Sequence, residues 1–129
     1  MMTNTSSTSF CPVFHAAIEL IGRRWTGAIL KAMYSGQYRF SDITHSVPGL
    51  SDRLLSERLK QLEKEGIVER TVYSETPVRI EYRLTEKGRD LGGVLDAISD
   101  WAAKWLDENP DRQCDPPLTE LHDVETATR

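Results

Sequence analysis

Residues 51–89 read SDRLLSERLKQLEKEGIVERTVYSETPVRIEYRLTEKGR. Leu55, Leu59 and Leu62 recur at i, i+4 and i+7, a single stripe at the helical period. Ser51 stands where an N-cap is needed, and its hydroxyl can accept from an early backbone N–H. Gly66 stops the helix where a left-handed residue suits the chain, with Lys60 and Lys64 near the negative helix end. At about 100° per residue, Arg53, Glu57, Lys60 and Lys64 point away from the leucines, flanked by Ser56 and Gln61. Such a face offers the donors and acceptors that base edges and phosphates require. Taken alone it is also what an ordinary solvated helix carries. The neighbouring segments decide between the two.

Upstream, FSDITHSV over 40–47 has Phe40, Ile43 and Val47 at i, i+3 and i+7, with Ser41 as the expected N-cap. Pro48-Gly49 breaks the chain before the next helix. Downstream, Ile67–Tyr73 is rich in β-formers. Val78, Ile80, Tyr82 and Leu84 alternate with Arg79, Glu81 and Arg83, the period of a half-buried strand with its charges outward. The segment SETP between the strands is a turn, and Arg79 lies just past its tip. Short helix, turn, long helix with a basic outer face, then a β-hairpin: the expected fold is α+β, mostly α, a winged helix-turn-helix. In such a unit one helix can lie in a DNA major groove while the hairpin reaches the backbone beside it. The residues expected to contact DNA are Ser51, Arg53, Ser56, Glu57, Lys60, Gln61, Lys64 and, on the wing, Arg79.

The segments CPVFHAAIELIGRRWTGAIL, YRFSDI, PGLSDRLLSERLKQLEKEGIVER and PVRIEYRLTEKGRDL together resemble the bacterial HxlR-type transcriptional regulators, a MarR-related branch of the winged-helix proteins. The resemblance covers residues 11–106. It implies a dimeric, sequence-specific DNA-binding regulator that acts on a pseudo-palindromic operator and responds to a chemical signal. The signal itself, a small molecule or thiol modification, is left open.

The formal net charge of −4 and pI near 5.4 run against DNA binding at first sight. Their distribution answers the objection. Residues 22–89 hold 13 Lys/Arg against 9 Asp/Glu, whereas residues 90–129 hold 3 against 10. Charges separated by more than a Debye length of roughly 8 Å are largely screened, so a basic surface can persist on an acidic chain.

At 129 residues the chain supports one core. We expect a disordered segment at 1–10, a winged-helix and dimerisation domain at 11–108 and an acidic, proline-containing tail at 109–129. A run of roughly 18 apolar residues, which a spanning helix needs, does not occur. The start MMTNTSSTS lacks the basic and apolar regions of a signal peptide, so a cytoplasmic protein without membrane contact is expected. Cys11 and Cys114 form no disulfide framework.

The outer helices look like a dimer scaffold. Thr85 can cap a helix reaching about Leu106, with Leu91, Leu95, Ile98, Trp101, Ala102, Trp105 and Leu106 on one broad face. That is more apolar surface than one small domain can cover. The first helix, from Pro12 to Ile21, carries Val13, Phe14 and Ala17 and is its natural partner from a second subunit. The interface is therefore expected at Val13, Phe14, Ala17, Leu95, Ile98, Trp101 and Trp105. Trp25, Ile29, Leu30 and Met33 are assigned to the buried face of the second helix.

Cys11 precedes Pro12 and so adjoins the start of the first helix, whose positive end favours a thiolate. It is the candidate sensor; the competing reading is a small apolar cap on the interface. An enzyme is not expected. His15, His45 and His122 have no metal-site spacing, Gly92-Gly93 falls inside a helical pattern rather than a phosphate loop, and no cofactor is implied. The alternative to a DNA-binding regulator is a winged-helix module for protein–protein contact. An apolar or acidic outer face on the 51–65 helix would favour that module, but the face carries Arg53, Lys60 and Lys64.

Overall fold

The computed structural model describes residues 9–106. Residues 1–8, the tail from 107 onward, Cys114 and His122 lie outside the described residues. The order is α1 (Pro12–Ile21), α2 (Thr26–Tyr34), α3 (Phe40–Ser46), α4 (Asp52–Lys64), β1 (Val68–Tyr73), β2 (Arg79–Leu84) and α5 (Glu86–Trp105). This is the expected mostly helical winged helix-turn-helix. β1 and β2 form an antiparallel pair running from Val68 opposite Leu84 to Tyr73 opposite Arg79.

Local chemistry explains most boundaries. The Ser51 hydroxyl accepts from Leu54 N at 3.1 Å and opens α4. Thr85 does the same for α5, accepting from Gly88 N at 3.2 Å. Each such cap is worth about 1 kcal/mol. Gly66 takes φ 77° directly after α4, the left-handed conformation that a side chain disfavours. Gly49, at φ 87°, turns the chain from α3 into α4.

The stripe of α4, Leu55, Leu59 and Leu62, is fully buried. It packs with Ile29, Leu30 and Met33 of α2, Ile43 of α3, Val47 and Leu50 of the turn, and Ile67, Val68 and Leu84 around the hairpin. Burying each such side chain contributes about 1.5–3 kcal/mol. One core thus holds α4 and the hairpin to the same support.

Several expectations are corrected. Ser41 is not the N-cap of α3: Arg39 holds that position in extended backbone, φ −99° and ψ 150°, with no side-chain cap. The helix begins at Phe40, which packs against the core. Here apolar anchoring sets the start, not a hydroxyl. Trp25 precedes α2 rather than lying within it, at φ 79°, a conformation unusual for so large a residue. Its half-buried ring lies over the α3–α4 turn, so that a Cβ at Gly49 would stand 3.3 Å from it. Leu95, expected at the dimer interface, is 8% exposed and completes the protomer's own core. Helical period gives the direction of a side chain, not the depth of its neighbours. Among the described residues no helix is long and apolar enough to cross a membrane, and no cluster of His, Cys, Asp and Glu could hold a metal.

Candidate nucleic-acid interface

α4 turns its polar face to solvent. Arg53, with its side chain 89% exposed, sits in the first turn, its Nε 3.3 Å from Glu57 Oε2. Pairs this exposed contribute little and are easily exchanged for another anion. Lys60 and Lys64 follow on the same face, both exposed. Ser51 is exposed at the cap, and Ser56 and Gln61 are half-buried at the flanks. Gln61 is not wholly free, because Arg58 Nη1 donates to its Oε1 at 3.4 Å.

Arg58 also donates through Nε to the carbonyl of Arg24 at 2.9 Å. The Arg24 guanidinium in turn lies 5.0 Å from the Trp25 ring centre. These contacts tie the α1–α2 connection to α4 from behind. The Trp25 ring on Gly49 adds a second contact between that connection and the turn that leads into α4. Arg24 and Arg58 lie within the segments that carry the family resemblance, but sequence assigns them no contact, because the two are 34 positions apart and meet only in the fold.

The wing departs further from its reading. Glu81 was expected to point into solvent with Arg79 and Arg83. It is buried. Arg79 Nη1 donates to Glu81 Oε2 at 2.5 Å, and Arg83 donates through Nε and Nη2 to Glu81 Oε1 at 3.2 and 3.0 Å. Arg83 stacks 3.9 Å from the Tyr38 ring centre, and Tyr38 O accepts from Tyr82 N at 2.8 Å. Long arginine stems on the same strand face roof the carboxylate between them. Burial raises the Glu81 pKa, but the hydrogen bonds and charges of Arg83 and Arg79 outweigh it and the net shift is downward.

Arg79 is similarly engaged. Its guanidinium stacks 4.0 Å from the Tyr73 ring centre, and Nη2 donates to Glu75 Oε2 at 2.9 Å. Its pKa is raised, chiefly by the Glu75 hydrogen bond. The wing arginine is therefore held in place before any partner arrives.

At the other end of the molecule, Cys11 occupies the N-cap of α1 and is exposed. Its Sγ accepts from Phe14 N at 3.5 Å, and Pro12 opens the helix as expected. α1 has no buried residue: Val13, Phe14 and Ala17 all face outward. Ile98, Trp101 and Trp105 of α5 are exposed too, with Trp101 at 57% and Trp105 at 65%.

A helix-turn-helix with a cationic outer helix and a β-wing defines a winged-helix protein of the nucleic-acid-binding kind. The chain belongs to the HxlR-like helix-turn-helix family, whose model matches residues 20–110. The HTH-type transcriptional regulator YvaP of Bacillus subtilis (strain 168) is 48% identical over 102 residues, which span 79% of this chain and 94% of that protein. The reduced form of the transcriptional regulator YodB from B. subtilis matches with a TM-score of 0.70 at 42% identity, over 78% of this chain and 98% of that one. Diamide-treated YodB matches with a TM-score of 0.66 at 40% identity, over 84% of this chain and 100% of that one. The expected class, an HxlR-type transcriptional regulator with a winged helix-turn-helix, is borne out.

Proposed function

We propose that two copies of this chain form a regulator that binds a pseudo-palindromic operator in duplex DNA and changes its affinity when Cys11 is modified. The observation that carries the DNA reading is the outer face of α4: Arg53, Lys60 and Lys64 are exposed on a helix whose opposite face is locked into the core. Arg53 and Ser56 read base edges, Ser51, Lys60 and Lys64 hold phosphates, and Glu57 and Gln61 orient their neighbours or accept from bases. Arg79 contacts the backbone from the wing.

The dimer reading rests on apolar surface. α1 is exposed from Pro12 to Glu19, and Ile98, Trp101 and Trp105 are exposed on α5. Exposed apolar area of this extent marks an interaction surface. A two-fold pair would present two α4 helices to successive major grooves, roughly 34 Å apart.

The signal reading rests on Cys11. YodB is known in a reduced and a diamide-treated form, and diamide is a thiol oxidant. In this chain an exposed thiol caps the helix that begins the proposed interface. A quinone would add to the sulfur, forming an S–C bond while its ring takes up the proton. An oxidant would couple the sulfur to a second thiol, removing two electrons and two protons. Either change adds bulk where packing is close, and close-packed interfaces rearrange rather than deform smoothly.

Binding-site selection with the purified full chain tests the DNA reading. Enrichment of an inverted repeat with half-sites about one helical turn apart is the expected result. Recovery of random sequence would refute it.

A further inference from the structure

The wing and the start of α3 enclose a cleft of about 290 Å³ lined by Arg39, Glu75, Thr76 and Arg79 among others. Two arginines and one glutamate thus border a space large enough to admit one phosphodiester group. Arg39 comes from the backbone turn that opens α3. It is exposed, and its side chain makes no hydrogen bond or ion pair among the described residues. Arg79 comes from the first residue of β2.

The two partners of Arg79 differ. Glu81 is 8% exposed and is shared with Arg83, so it is a fixed inner anchor. Glu75 is 52% exposed and contacts Arg79 alone among the described ion pairs. A guanidinium binds carboxylate and phosphate through the same planar fork. The Glu75 oxygen, 2.9 Å from Arg79 Nη2, therefore stands where a phosphate oxygen would stand.

We propose that this cleft is a seat for a backbone phosphate of duplex DNA, with Arg39 as its second cation and Glu75 as a built-in competitor that swings out when the phosphate enters. The inference rests on the DNA-binding reading above and adds to it two residues outside the outer face of α4. Glu75 lowers the affinity of the wing for every sequence alike. Since the competing pair is exposed, its effect is modest.

Affinity for one selected duplex and one random duplex, measured across a salt series, tests this. Glu75→Gln should tighten both by about two- to five-fold, the range of an exposed ion pair. Arg39→Ala should weaken both alike and shallow the dependence of log K on log salt by about 0.9, one phosphate contact. In an Arg79→Ala background the gain from Glu75→Gln should vanish. A gain that survives there would be general charge repulsion and would overturn the competitor role. Wild-type affinity and slope for Arg39→Ala would overturn the seat while leaving the DNA reading intact. Failure of the wild-type chain to bind any duplex would overturn both. Inorganic phosphate at matched ionic strength should not shift the Arg39 and Arg79 Nε–H resonances that duplex shifts. Equal shifts would mean a free-anion site instead.

Discussion

The Tyr34 hydroxyl donates to the Gly88 carbonyl, joining the end of α2 to the first turns of α5. The contact is buried, and burial, followed by the Asp96 and Asp90 carboxylates, raises the Tyr34 pKa so that the phenol remains a donor. Gly88 and Gly92 make room for it. A Cβ at Gly92 would stand 3.4 Å from the Tyr34 ring, and a Cβ at Gly88 would run into the Ile67 carbonyl oxygen. α5 is thus seated against both the end of α2 and the base of the hairpin.

Alanine substitution should separate three glycines of α5. Gly88→Ala forces backbone apart and should cost about 1–3 kcal/mol or more. At Gly93 a Cβ meets nothing within 4 Å, so Gly93→Ala should gain about 0.5–1 kcal/mol from helix propensity. Gly92→Ala falls between them. Urea midpoints at fixed protein concentration give the ranking; a Gly88→Ala chain as stable as wild type would show that α5 is not seated as described.

Acid should loosen the wing. The Glu81 carboxyl is held below its ordinary value of 4.5 by Arg83 and Arg79. A depressed carboxyl contributes stability that is fully present above its unfolded value and is lost as pH falls through the folded one. Unfolding midpoints from pH 7 to 3 should therefore fall below about 4.5, and Glu81→Gln should remove part of that slope. An identical slope in the variant would mean the triad contributes nothing.

The exposed rings of α5 test assembly. Trp101→Ala with Trp105→Ala should leave the protomer's circular dichroism unchanged, because neither ring enters its core. Losing two central aromatic anchors should weaken association by about 2 kcal/mol or more each. Sedimentation should show a dimer for wild type and a monomer for the variant at micromolar concentration. A wild-type monomer contradicts the proposal.

Modification of Cys11 should change operator affinity. Duplex titrations before and after a quinone or diamide, with wild type and Cys11→Ser, separate sensor from cap. The wild type should respond and the serine variant should not. If both respond alike, or neither does, Cys11 is structural and the signal does not act through its thiol.

Much of this architecture was legible in sequence because its determinants are local. The leucine stripe of α4, the Ser51 and Thr85 caps and the left-handed Gly66 each follow from residues within one turn. What escaped depends on depth and on distant neighbours. Leu95 and Trp101 belong to one broad apolar arc of α5 but lie about 120° apart on it, and only Leu95 reaches the core. Glu81 follows the outward period and is buried all the same, because Arg79 and Arg83 close over it. Arg39 and Glu75 are far apart in sequence, and only the folded hairpin brings them to one cleft.

The central claim, that the outer face of α4 reads bases, is tested most directly by the affinity of wild type and Arg53→Ala for the selected site and each single-base variant of a half-site. The account predicts a loss of about 1–3 kcal/mol on the selected site and a relaxed preference at one position per half-site. Unchanged affinity for every variant would contradict it.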